Sequence, residues 1–120
     1  MKGYFINVKK GFSEVVDVKD CLEVFYEKID CTTIDIVNRK IGGVYYAIVC
    51  DDEGLYAERV TVSAATKTGD PVLVGNLLIF KNGEYGELAG LSGEDVERVR
   101  KNIYLALNDK RAWPIVQVEY

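Results

Sequence analysis

Histidine is absent from this chain of 120 residues. The absence removes Ser-His-Asp and Cys-His nucleophile activation, imidazole base catalysis and His-ligated metals in one step. Any chemistry would have to run on carboxylates, lysine, tyrosine, cysteine or backbone groups. Cysteine is scarce: Cys21, Cys31 and Cys50 are the full set. Their number is odd and their wide gaps fit no metal-binding spacing. Buried thiols are the favoured reading, which suits a reducing cytoplasm. No apolar signal stretch follows Met1 and Lys2, and no run approaches membrane-spanning length. A membrane is therefore not an expected partner. An excess of positive charge is also lacking, since 15 Lys and Arg face 19 Asp and Glu for a net charge of -4. That balance argues against general nucleic-acid affinity, which needs basic side chains to displace counterions. It is also too small for a nucleic-acid mimic without a concentrated acidic face. Low-complexity segments and internal repeats are missing too.

What is present is a globular balance, 48% apolar and 28% charged. A chain of this length buries roughly two-thirds of its unfolded surface, so it needs no disulfide or metal staple. One globular domain over residues 1–120 is expected.

Tyr4 to Val8 reads as the opening strand, broken by Lys9, Lys10 and Gly11. A helix is expected next, with Leu22, Phe25, Tyr26 and Ile29 on one stripe and Asp20 with Glu23 as a capping box, or a start at Asp17. "TTIDIVNRKI" and "VYYAIVC" read as a hairpin through Gly42 and Gly43. The second of these is apolar on both faces, as a central covered strand would be. A short strand is plausible at Val60, Val62 and Ala64. "KTGDP" is a turn, and "VLVGNLLIF" reads as one strand interrupted at Gly75-Asn76 by a bulge or a close backbone approach. A Gly-rich connection then leads to a second helix with Ser92 and Asp95 as its capping box and Leu91 with Val96 as a staple. Val96, Val99, Ile103 and Leu107 give its stripe, with the end at Asn108 or Asp109. After Pro114 a final strand alternates Ile115, Gln117 and Glu119 against Val116, Val118 and Tyr120.

Strands in succession favour antiparallel pairing. The expected fold is α+β, a mostly antiparallel, curved sheet with two helices. Both helices are expected on one face. Sheet curvature or a second subunit would close the other, so a homo-oligomer stays open.

Two places could carry chemistry. Asp51, Asp52 and Glu53 follow an apolar strand and precede Gly54. Neighbours on an extended segment point to opposite sides, so the three cannot converge on one ion unaided. A cation would need further oxygens, with Glu84 and Glu87 as the candidates. The alternative is a solvated turn with Gly54 at positive φ, and it is favoured. Arg98, Arg100, Lys101, Lys110 and Arg111, with Trp113 behind them, form the one basic concentration. It could bind nucleic acid through phosphates and stacking, with Arg98 and Lys101 central. A solvated helix end accounts for it more simply. Gly83, Gly86, Gly90 and Gly93 match no phosphate-binding motif, and the acidic residues among them would repel an anion. Of the adjacent Tyr45 and Tyr46, one at least is expected to pack in the sheet, while exposed tyrosine suits a partner surface.

"CTTIDIVNRKIGGVYYAIVCDDEGLY", "LVGNLLIF" and "GLSGEDVERV" together resemble the phage and mobile-element family known as domain of unknown function 3846. The resemblance covers about residues 29–99. Its pattern is a hydrophobic strand ending in an acidic-acidic-Gly turn, then a small-residue and Gly-containing strand, then a Leu-Ser-x-Glu-Asp helix start. Here these are Asp52, Glu53 and Gly54, then Gly75 and Asn76, then Leu91, Ser92, Glu94 and Asp95. The resemblance implies a bacterial cytoplasmic setting, often tied to phage or mobile DNA, and brings no catalytic residues. With it, the leading expectation is a non-enzymatic accessory or regulatory domain that binds another protein, with no cofactor and no metal. A carboxylate-dependent metal hydrolase or nuclease at Asp51, Asp52 and Glu53 is the alternative from another class, and nucleic-acid binding through the basic helix is the third.

Overall fold

The computed structural model describes residues 1–119. Ten strands and two helices are found among them, in an antiparallel-dominated α+β fold. The strands are shared between two open sheets. The first is ordered β2-β1-β7-β4-β3, from β1 (Lys2–Asn7), β2 (Phe12–Asp17), β3 (Ile34–Ile41), β4 (Val44–Asp51) and β7 (Leu77–Asn82). A two-residue strand, β8 (Leu88–Ala89), pairs with the end of β7. The second sheet is ordered β6-β5-β10-β9, from β5 (Val62–Ala65), β6 (Pro71–Val74), β9 (Ile103–Leu107) and β10 (Ala112–Gln117). Among the described residues, only the β5–β10 pair within these sheets is parallel.

The period of two in the central strands decides the layers. Ile6, Tyr46, Ile48, Cys50, Leu77 and Ile79 face one side and share a core with Val96, Val99, Ala64, Val116 and Val118. Phe5, Val49, Leu78 and Phe80 face the other and pack on Phe25 and Ile29. Each buried Val, Ile, Leu or Phe among them contributes about 2 kcal/mol. Helix α1 (Leu22–Ile29) thus covers one face, while α2 (Gly93–Lys101) and the second sheet cover the opposite one. The expectation that both helices share a face is corrected. Both faces are covered from within the chain, so the two-sided strands need no second subunit to explain them.

The hairpin between β3 and β4 forms as the sequence indicates. Ile41 pairs with Val44, and Gly42 and Gly43 take φ of 59° and 85°, the left-handed values that a tight hairpin turn requires. The opening strand turns back at Val8–Gly11 into β2, which the sequence reading missed. Phe12 and Val15 on this edge strand are exposed, so its alternation lacks a buried side to announce it. Asp17 ends β2 and holds the N-terminal ammonium at 2.6 Å; it does not start α1. The Asp20–Glu23 capping box does not form either, because the helix begins at Leu22 with Cys21 as its cap and no side-chain bond there.

Helix α2 starts as expected. Asp95 N–H donates to Ser92 Oγ at 3.1 Å, and Ser92 N–H donates to Asp95 Oδ2 at 3.0 Å. Leu91 and Val96 are buried in one cluster. The helix stops at Lys101, however, and Ile103–Leu107 is β9. Ile103 mimics the helical stripe because it packs into the same core from a strand. "VLVGNLLIF" is likewise two strands in two sheets. The chain crosses from β6 to β7 at Gly75-Asn76, where Gly75 takes φ of 79°. Val116 and Val118 of the last apolar set are buried, whereas Tyr120 lies outside the described residues. Among the described residues no helix is long and apolar enough to cross a membrane.

Candidate functional site

The acidic segment ends β4 and enters a short 3-10 turn, Gly54–Tyr56. Glu53 N–H donates to Asp51 Oδ1 at 2.9 Å, and Asp52 N–H donates to the Thr33 carbonyl at 3.1 Å. The first is a side-chain contact of the kind that favours aspartate in turns, and the second continues the β3–β4 ladder by one pair. Gly54 is buried, and it is not among the glycines at positive φ. Its expected left-handed conformation is therefore corrected. A Cβ at Gly54 would lie 2.9 Å from Val74 Cγ2, so close approach to β6, and not backbone conformation, favours glycine there.

That approach leaves an open groove of about 400 Å³ between edge strand β3 and edge strand β6. Asp35, Asp51 and Asp52 stand along it, and Val37, Val72 and Val74 contribute apolar lining. Leu55 and Tyr56 project from its rim, 74% and 87% exposed. The carboxylate that joins the acidic loop is thus Asp35, which sits opposite Cys50 in the β3–β4 register. Glu87 borders a different groove, beside α1. Among the described residues no three His, Cys, Asp or Glu side chains are grouped to hold a metal ion. Burial pushes the Cys50 thiol up to about 11, with Asp35, Asp51 and Asp52 adding to the effect.

The basic concentration does not form one face. Arg98 turns inward: Nη1 donates to the Tyr46 hydroxyl at 2.9 Å and to Asp95 Oδ1 at 3.2 Å, and Nη2 donates to Glu94 Oε1 at 3.3 Å. Arg100 pairs with Glu97. Arg111, on the loop before β10, donates to the Val8 and Lys9 carbonyls and lies 5.2 Å over the Trp113 ring. Trp113 is itself tied by Nε1 to the Val62 carbonyl at 3.0 Å. Lys101 stays exposed.

One constellation escaped sequence reasoning. Asp95, buried at the first turn of α2, accepts from the Tyr46 hydroxyl at 2.7 Å, from Lys81 Nζ at 3.1 Å and from Arg98. Burial opposes its ionisation. The Ser92 N–H, the Tyr46 hydroxyl, Lys81 and the Ser92 hydroxyl outweigh it and hold the carboxyl well below the usual carboxylate range. Burial also raises the Tyr46 phenol, against the Arg98 bond that lowers it. The four side chains come from β4, β7 and α2, so no spacing in the sequence brings Tyr46 and Lys81 to the other two. The available signals were the capping box, which placed Asp95 on the first helical turn, and the i,i+3 spacing of Asp95 and Arg98.

The sequence model of the family described as Domain of unknown function (DUF3846) matches residues 1–104. The chain belongs to this family. No curated protein and no solved structure matches it. The match holds the acidic loop, the groove rim and all of α2, and it ends within β9, so β10 lies beyond it. In this DUF3846 protein the positions that carried the resemblance make structural contacts, and Asp52 and Gly54 also line the groove. Asp52, Glu53 and Gly54 close the exit from β4, Gly75 and Asn76 carry the chain between sheets, and Ser92 with Asp95 starts α2.

Proposed function

We propose that this protein is a non-enzymatic accessory or regulatory domain that binds another protein through the groove between β3 and β6. Its setting is the cytoplasm of a bacterium or of a phage-infected cell, a reading that rests on the sequence resemblance and on the odd number and wide spacing of the cysteines. One observation carries the binding reading: Leu55 and Tyr56 stand exposed on the rim of an apolar groove edged by Asp35, Asp51 and Asp52. Adjacent large apolar side chains held out in water mark interaction sites, and tyrosine is enriched there for its apolar body and polar tip. Three carboxylates beside them select a partner of opposite charge. The occupant that fits is an extended segment with Lys or Arg next to an apolar side chain. Its apolar group would lie on Val37, Val72 and Val74, and its cation would meet the aspartates.

Two observations weigh against the other readings. The acidic loop gathers no three-ligand set among the described residues, and Arg98 is already satisfied by Tyr46, Asp95 and Glu94. Selection from a random peptide library, with a Leu55→Asp/Tyr56→Ala variant as the counter-selection, tests the proposal. Peptides pairing a basic with an apolar residue should be retained by the parent chain and lost by the variant. Equal recovery on both would remove the groove as the binding site.

A further inference from the structure

Strand β9 is the outer strand of the second sheet. Its pairing with β10 decides which of its backbone groups are free. Gln117 N–H donates to the Asn102 carbonyl, and Asn108 N–H donates to the Arg111 carbonyl. Between them Tyr104 lies opposite Ile115 and Ala106 opposite Trp113. Bonded and non-bonded pairs alternate along an antiparallel ladder. Tyr104 and Ala106 therefore turn their backbone groups toward β10, while Ile103, Leu105 and Leu107 turn theirs to the open edge. Pro114, which has no N–H, sits opposite Leu105, at a pair that needs none.

The edge strands differ in their protection. β2 carries Glu14 and Asp17, and β3 carries Asp35, Arg39 and Lys40 and is bridged by Glu119 at Lys40. β6 begins at Pro71, and its pairing is broken by register shifts. Charges, proline and bulges are the usual ways of blunting an edge. β9, Ile-Tyr-Leu-Ala-Leu, has none of them, and Leu105 and Leu107 are 61% and 73% exposed.

We propose that β9 pairs with β9 of a second copy of this chain, antiparallel across a two-fold axis at Leu105, so that two second sheets become one. Two features select this occupant. An axis at Leu105 sets Leu105 against its own copy and Ile103 against Leu107. Every outward-turned residue then meets another, and each pair can exchange both bonds. Directly opposed side chains lie on the same face, so the exposed leucines cover one another. Lys101 is the last residue of α2 and Asp109 lies in the connection to β10, so both stand outside the ladder, and Ile103, Leu105 and Leu107 carry the pairing. A two-fold contact of this kind closes on itself and does not grow into a fibre. One strand pair buries less than a permanent dimer requires, so association depends on concentration. The groove beside β6 lies at the far edge of the sheet and stays open, so this inference stands apart from the protein-binding reading.

Sedimentation velocity of the full chain over a range of concentrations should show a monomer–dimer equilibrium. Leu105→Lys should leave monomer alone. Leu107→Lys should weaken the dimer by roughly tenfold or more, because it sets a charge against Ile103 of the second copy twice. A chain that stays monomeric to its solubility limit overturns the proposal, as does a dimer indifferent to Leu105→Lys or to Leu107→Lys. Should Leu105→Lys not fold, amide exchange on the unaltered chain decides. Protection of the Leu105 and Leu107 amides that rises with concentration supports the pairing, and protection that does not change overturns it.

Discussion

The Tyr46 hydroxyl, at the centre of β4, donates to the Asp95 carboxylate on α2 across 2.7 Å. This bond ties the helix to the sheet at a point where Lys81 and Arg98 supply the countercharge. Replacing the carboxylate leaves two cations facing a neutral group with their partner gone. Asp95→Asn should therefore cost about 3 kcal/mol, the usual scale for breaking a buried ion pair from one side. Tyr46→Phe removes one hydroxyl and should cost about 1 kcal/mol. Thermal or urea unfolding measures both.

The same carboxylate makes stability depend on acid. Its folded-state pKa is depressed below the ordinary 3.8. Its contribution is present above that value and is lost as pH falls from there toward the folded value. Stability measured down the acid range should drop there in the parent chain and drop less in Asp95→Asn. Asp17 is also lowered, by its bond to the N-terminal ammonium, but it is exposed and adds little to this limb. An acid limb of equal steepness in the two proteins would place the titrating group elsewhere.

Asn76 bolts three elements together. Its Oδ1 accepts from Val8 N–H at 3.0 Å and from Lys9 N–H at 3.4 Å, and its Nδ2 donates to the Lys28 carbonyl at 3.2 Å. The residue is buried, so truncation strands backbone groups at the end of β1 and the end of α1. Asn76→Ala should cost about 2 kcal/mol. Asn76→Asp keeps the acceptor but sets a carboxylate against the Lys28 carbonyl, and it should be no better tolerated. Denaturant midpoints compared at one pH check the pair.

Much of this architecture was legible in the sequence, and the misses share a cause. The Gly42-Gly43 turn and the Ser92–Asp95 cap were readable because local chemistry determines them. β2 and β9 were not, because their outer residues face water and the alternation that marks a strand is blurred. The Ile103 stripe failed for a related reason, since a strand can deliver an apolar side chain to the core at a helical spacing. Gly75-Asn76 was seen as an interruption, but only tertiary structure shows that the strands on either side belong to different sheets. Asp52 and Glu53 lie in a turn, although Gly54 lacks the positive φ expected of it. Asp35 was within reach of the sequence, since the two-residue Gly42-Gly43 turn fixes the register that sets it opposite Cys50.

Gly54 and Val74 form a tight contact that substitution can probe. A methyl at Gly54 would meet Val74 Cγ2 at 2.9 Å, closer than a Cβ tolerates without movement. Gly54→Ala should destabilise by about 1 kcal/mol. Val74→Ala makes room, so the double variant should lose less than the sum of the single changes. Additive losses in urea unfolding would show that the two do not compete for the same space.

Cys50 is buried and its thiol is pushed up to about 11, first by burial and then by Asp35, Asp51 and Asp52. At neutral pH almost none of it is thiolate, the form that reacts. Iodoacetamide followed by peptide mass spectrometry should label Cys21 and Cys31 first, both of which are partly exposed. Cys50 should react at the rate of unfolding, and denaturant should bring all three to similar rates. Rapid labelling of Cys50 in the folded chain would mean that the groove opens to its floor.

The rim of that groove separates binding from folding. Leu55 and Tyr56 are exposed on a short turn, so Leu55→Asp and Tyr56→Ala should each change stability by less than about 0.5 kcal/mol. If they anchor a partner segment, the same changes should weaken binding by roughly tenfold or more. Asp51→Asn keeps the oxygen that accepts from Glu53 N–H and removes only the charge. It should lower affinity chiefly at low salt, where a screened attraction matters most. Isothermal titration of a selected basic-apolar peptide at two salt concentrations reads all three effects. Affinity unchanged in Tyr56→Ala would move the binding surface away from this groove, whatever the charge variants showed.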